Sequence, residues 1–302
     1  MRTRLRSAPT RCRRVFVHAV RSLDAVRWAP VVLAALLLGG PTALAQLAEG
    51  GARALALGRA TVALGDDAWG HYNPATWSTL DQGTVALFAS QPFGLAELRI
   101  AGLAAAYPTP YGTAALTART YGFEDYRETT LGLGLARAVP LSRARRLHLG
   151  VHARLHTLSI SEGFGSSNTL TVSAGALVQV VEGVQFGVHA RNALAPRDAD
   201  AKLDAPISTE PGLGLGLAYT PIPDATVLLA IDKSIEDQPA SVRGGLEVRP
   251  IDVLAIRAGF TTAPARLSLG VGVNLTRVQA ALAFENHDAL GWTPAVDLTV
   301  RF

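Results

Sequence analysis

From about Gln82 to Phe302 the chain repeats segments of about ten residues in which apolar positions alternate with small or polar ones. The clearest runs from Leu147 to His156. Side chains alternate faces along a strand, so Leu147, Leu149, Val151, Ala153 and Leu155 share one side, and His148, His152, Arg154 and His156 the other. The pattern predicts strands over 83–91, 97–107, 112–121, 127–138, 147–160, 168–180, 184–192, 211–220, 225–232, 240–249, 253–262, 266–274, 278–285 and 293–302. Connections after the even strands are short, as in Val181-Glu182-Gly183 and Pro250-Ile251-Asp252, the basic turn Leu141 to Arg146 excepted. Several after odd strands are longer and more polar: Glu162 to Ser167, Asn192 to Glu210, Asp232 to Pro239 and Asn286 to Trp292. No helical layer follows residue 80 to cover an apolar sheet face. The chain is therefore expected to be all-β: a transmembrane antiparallel β-barrel of about 14 strands, apolar side to lipid and polar side to a lumen.

The first 45 residues read as an export signal. Eight Arg form a basic n-region, Trp28 to Leu38 an apolar h-region too short to span a bilayer, and Ala43-Leu44-Ala45 a cleavage site before Gln46. Residues 1–45 hold eight of the 28 basic residues and one of the 24 acidic ones, so the remainder carries 20 and 23, a net of −3. The pI near 9.6 thus belongs to the leader and gives no argument for nucleic acid. The single cysteine, Cys12, also lies in the leader, which excludes cysteine nucleophiles and cysteine metal sites beyond it. Mean hydropathy is positive at +0.23, yet no stretch after the leader offers about 18 uninterrupted apolar residues. The last strand sets Val296, Leu298, Val300 and Phe302 on one face. A terminal aromatic so placed resembles the signal read by the outer-membrane barrel assembly machinery, which makes Phe302 the expected assembly signal. The expected location is the cell outer membrane of a Gram-negative-type bacterium, among outer-membrane lipid.

Residues 46–80 do not alternate. A Gly- and Ala-rich stretch from Gly50 to Gly65 leads into Asp66-Asp67 and then Tyr72-Asn73-Pro74-Ala75-Thr76-Trp77. This resembles the opening of the FadL-like outer-membrane superfamily, including the PorV/PorQ group, in which such a stretch, an acidic pair and an Asn-Pro-Ala motif precede a fourteen-stranded barrel. The usual Met-Gly is Leu57-Gly58 here, and the usual Gly after Asn-Pro-Ala is Thr76. The resemblance implies that residues 46–80 form a partly helical plug in the lumen of a barrel spanning 81–302, with Asp66, Asp67, Asn73, Pro74 and Ala75 as its motif. Asn73-Pro74 favours a turn, and Asp66 and Asp67 suit a helix cap or lumenal Arg partners. The plainer alternative is that these residues only shape the turn into the first strand.

His148, His152 and His156 do not make a metal site, because four residues of strand span about 13 Å, far beyond two ligands of one metal. They are expected to line the lumen with Arg154, His189, Arg191, Arg243 and Glu247, and with Arg119, Glu128, Arg257, Arg266, Glu285, Asp297 and Arg301. Cross-strand pairing is the expected fate of these charges, an ion-selective constriction the alternative. Glycines in Gly212-Leu213-Gly214-Leu215-Gly216 and Gly270-Val271-Gly272 leave lumenal space for a plug or a ligand, or serve strand curvature. No enzyme signature and no cofactor motif is present; His156 and Ser159 fall on opposite faces of their strand. Three functions remain: a PorV/PorQ-like secretion accessory that handles secretion-system proteins, a FadL-like channel for small hydrophobic ligands, and a soluble periplasmic β-sandwich. The first two differ in what they predict. The channel requires an apolar pocket between plug and wall and a kink or gap in one strand.

Overall fold

The structure, a computed structural model, describes residues 50–142, 145–161, 165–194, 209–234 and 239–302. The expected signal segment 1–45 and parts of four connections lie outside these. Fourteen strands follow one another: β1 (Thr84–Ser90), β2 (Ile100–Thr109), β3 (Gly112–Gly122), β4 (Tyr126–Pro140), β5 (Arg146–Ile160). Next come β6 (Gly165–Val181), β7 (Val184–Leu194), β8 (Gly212–Ile222), β9 (Ala225–Ser234) and β10 (Ser241–Ile251). The last four are β11 (Leu254–Thr262), β12 (Ala265–Asn274), β13 (Val278–His287) and β14 (Gly291–Arg301). Each segment expected from the alternation is a strand, its ends moved by a few residues. All pairs are antiparallel between sequence neighbours, and β1 closes onto β14 from Thr84↔Arg301 to Ser90↔Ala295. Closure removes every free edge, which sets aside the β-sandwich.

The outer face is a lawn of aliphatic side chains, including Leu131, Leu133 and Leu135 on β4 and Leu267, Leu269 and Val271 on β12. On β5, Leu149, Val151 and Leu155 face outward, while His152, Arg154 and His156 are buried. Only lipid gives such an outer surface a favourable solvent. β1 and β2 alternate poorly because both of their faces are apolar: Ala86, Phe88, Ile100, Ala104 and Ala106 point inward and are buried. They meet another apolar surface there.

That surface is residues 50–80, which thread the lumen. Helix α1 (Gly51–Ala56) packs on β11 to β14 and β1, and a 3₁₀ turn, Pro74–Thr79, packs on β3 to β6. Leu55, Leu57, Ala60, Val62, Ala63 and Trp77 are within a per cent or so of full burial. At about 1.5–3 kcal/mol for each large apolar side chain, this burial is the main force holding the insert in place. The wall is cut to receive it. A Cβ on Gly245 would come within 2.7 Å of the Leu57 carbonyl, and one on Gly216 within 2.7 Å of Val62. Cβ atoms on Gly134 and Gly259 would collide with Trp77 and Gly58. The lumenal glycines thus trace the footprint of the insert, Gly270 against Ala56 among them, though Gly212 and Gly272 instead accommodate Arg191 and Arg257.

Candidate functional site in the lumen

Three buried carboxylates each collect two arginines from different elements. Glu247 on β10 accepts from Arg53 of α1 through Nε and Nη2, both 2.9 Å, and from Arg257 Nε on β11 at 2.6 Å. Glu285 on β13 accepts from Arg59 of the insert, bidentate, and from Arg266 Nη1 on β12 at 2.8 Å. Asp232 on β9 lies 3.3 Å from both Arg191 and Arg243. Arg243 also covers the ring of Tyr72, 5.8 Å from its centroid.

The expectation that insert acids would meet wall arginines accounts for one pair, Asp66 with Arg301 at 2.8 Å. The stronger pairs run the other way, from Arg53 and Arg59 of the insert to wall glutamates. Neither arginine was singled out from sequence. Two guanidiniums in an apolar Ala-rich segment need buried carboxylates, and of the inward acids Glu247 and Glu285 are the ones they meet. The helix cap is also corrected. Asp297 on β14 accepts from Ala52 N at 2.8 Å and Arg53 N at 3.2 Å, so a wall residue caps α1, and neither Asp66 nor Asp67 does. Asp67 instead accepts from Trp69 N at 3.1 Å within its own turn. Burial pushes its carboxyl up to about 6 against that hydrogen bond.

Asn73 is fully buried and binds in three directions. Its Oδ1 accepts from Ala75 N at 3.0 Å, while Nδ2 donates to Val62 O at 2.7 Å and to Ala176 O of β6 at 3.0 Å. Pro74 begins the 3₁₀ turn, where its missing N–H costs nothing. The side chain of Asn73 thus ties the turn to the earlier part of the insert and to the wall.

Between the insert and β1 to β5 lies a chamber of about 50 Å³. Trp69, Phe88, Gly102 and Ala118 line one part of it; Arg119, His71, His152, Arg154 and His156 line another, with Thr117 and Thr130. His152 Nε2 is 3.0 Å from Thr117 Oγ1, and its ring meets Trp77 edge-on at 4.9 Å. His156 bridges Thr130 and Thr171. Arg154 reaches His71 Nδ1 at 3.2 Å and Asn192 Oδ1 at 2.7 Å.

Asn192 sits in a break of the β6–β7 ladder, where Val172 pairs with Leu194 but Ala174 with Ala190. Its φ of 48° is left-handed, its side chain is buried, and its N–H donates to Ser173 Oγ at 2.9 Å in place of a ladder bond. A bulge of this kind re-aims a side chain, here turning the carboxamide of Asn192 into the lumen to hold Arg154.

The remaining residues named from sequence are placed as follows. His148 is half-buried, 2.7 Å from Ser78 Oγ. His189 is buried on β7. Glu128 accepts from Tyr126 Oη at 2.6 Å and pairs with Arg119 at 3.6 Å. Phe302 donates its N–H to Gly83 O at 2.9 Å and turns its ring outward. Among the described residues no group of three His, Cys, Asp or Glu could hold a metal ion.

No family model matches the chain, and no curated relative matches it. Solved structures do. The CymD monoaromatic hydrocarbon channel aligns with a TM-score of 0.60 at 12% identity, over 86% of this chain and 99% of that one. The Pseudomonas putida toluene transporter TodX aligns with 0.55 at 12%, over 86% and 98%. A Pseudomonas aeruginosa FadL homologue aligns with 0.55 at 11%, over 85% and 98%. At these identities the likeness is one of fold: this chain has the fold of FadL-type outer-membrane barrels.

Proposed function

We propose that this protein is an outer-membrane channel for small, largely apolar molecules, closed at rest by residues 50–80 acting as a plug. The observation that carries the reading is the chamber between insert and wall, with Trp69 and Phe88 on one side and the β7 bulge supporting the other. The channel alternative required an apolar pocket and a kink or gap in one strand; the chamber offers one apolar side, and the β7 bulge a kink. The fold-level likeness to barrels titled as hydrocarbon channels agrees with it.

The test uses cells whose lipopolysaccharide leaflet slows apolar solutes. Expression of the protein should speed uptake of a small apolar fluorophore such as N-phenylnaphthylamine several-fold, and Thr117→Phe, which fills the chamber, should abolish the gain. Uptake equal with and without the protein would remove the channel reading. A PorV/PorQ-like secretion accessory is the second reading, and the connections after β3, β11 and β13, two or three residues long, favour it because they leave no room there for a large extracellular capture apparatus. On that reading uptake is unchanged and exported proteins co-purify with the barrel.

A further inference from the structure

Arg137 interrupts the aliphatic outer face of β4. It follows Leu131, Leu133 and Leu135 on the outward side, is itself exposed, and pairs across the ladder with the outward Leu149 of β5. A guanidinium on the lipid face is tolerated only near a headgroup layer, which its long apolar stem lets it reach. The register agrees with that level. Through Ala114 it sets the exposed Tyr107 of β2 in line with Leu135, two residues from Arg137, and amphipathic rings settle at the membrane interface. This end of the barrel is the periplasmic one, since five of its six connections are only two or three residues long.

Arg145 and Arg146 stand exposed in the turn just beyond, and Leu141 N donates to Arg145 O at 2.9 Å, which holds Arg145 beside the end of β4. The flanking connections, Pro110-Tyr111 and Glu182-Gly183, bring one acid between them. Cationic charge is thus gathered on one arc of the rim, although the chain beyond the leader holds 20 basic and 23 acidic residues. A phosphate is the acceptor that a guanidinium fork grips through two oxygens. A periplasmic protein reaches Arg145 and Arg146 from water, but Arg137 lies on the lipid side of the wall. The occupant that meets all three is a lipid.

We propose that Arg137, Arg145 and Arg146 bind the headgroup of an anionic phospholipid of the periplasmic leaflet, its acyl chains lying against Leu135, Val139 and Leu149. The site is independent of what passes through the lumen. Each arginine near an anionic lipid surface changes lipid preference about fivefold.

Fluorescence quenching in vesicles tests it. Leu149→Trp places a reporter beside Arg137, and the barrel without it corrects for Trp69, Trp77 and Trp292. In phosphatidylcholine vesicles, brominated phosphatidylglycerol should quench the reporter more than brominated phosphatidylcholine at the same mole fraction, with a relative binding constant of about fivefold or more. Arg137→Gln should lower that constant about fivefold, and Arg137→Lys should keep most of it. Arg277→Gln, in the β12–β13 turn, should leave it unchanged. Poly-glutamate or inorganic phosphate in the water should also leave it unchanged. Equal quenching by the two lipids, or a preference that survives Arg137→Gln, would overturn the proposal. So would loss of the preference to poly-glutamate or phosphate, which would make the rim a site for an acidic protein or a free anion.

Discussion

Glu285→Gln is expected to cost about 3–5 kcal/mol of unfolding free energy, because it leaves Arg59 and Arg266 buried without their carboxylate. Glu285 is 2% exposed, so water screens little of the repulsion. The amide keeps one acceptor and the shape of the side chain, which confines the change to charge. Adding Arg59→Gln should recover part of the loss, since one of the two opposed charges goes with it, and the recovery measures the coupling between insert and wall. Denaturant titration of the barrel in lipid vesicles checks this. A loss below about 1 kcal/mol would place Glu285 in the range of a solvent-screened pair and contradict its burial between the two arginines.

The lipid-facing assignment carries the second large effect. Val151 is outward on β5 and flanked across the ladder by Leu135 and Ala174. Val151→Arg should cost about 2–4 kcal/mol if it lies near the middle of the bilayer. Its neighbour His152 points inward to Thr117 and Trp77. His152→Gln should cost only about 1 kcal/mol, the worth of a hydrogen bond. Equal losses in the same titration would break the parity on which every inward and outward residue of β5 depends.

The barrel was legible in sequence because a period of two, repeated fourteen times, leaves lipid and lumen as the only pair of solvents that fits. β1 and β2 were the weak point of that reading, since the insert turns their inner face apolar as well. The β7 bulge was not legible. Two extra residues between Ala190 and Leu194 put the ladder out of step where polar residues already suggest a loop, so the strand was expected to end at Asn192. The Asn73-Pro74-Ala75 motif pointed to the insert, but not to its partners. Arg53 and Glu247 are 194 positions apart and Arg59 and Glu285 226, so no local window joins them. The glycines that admit the insert are likewise scattered over many strands and meet one surface only after closure.

The central claim is that residues 50–80 close the lumen of an otherwise open fourteen-stranded wall, and single-channel recording in planar bilayers tests it most directly. Deleting residues 51–79 leaves Glu247 with Arg257 and Glu285 with Arg266, so the wall keeps its internal pairs. A wall of fourteen strands encloses more space than its own side chains fill. The intact protein should show little steady conductance, and the deletion variant discrete open-pore steps several-fold larger. Gly259→Leu, which collides with the insert at Gly58 without shortening the chain, should move conductance the same way. Large steady currents from the intact protein, unchanged by either variant, would contradict the account.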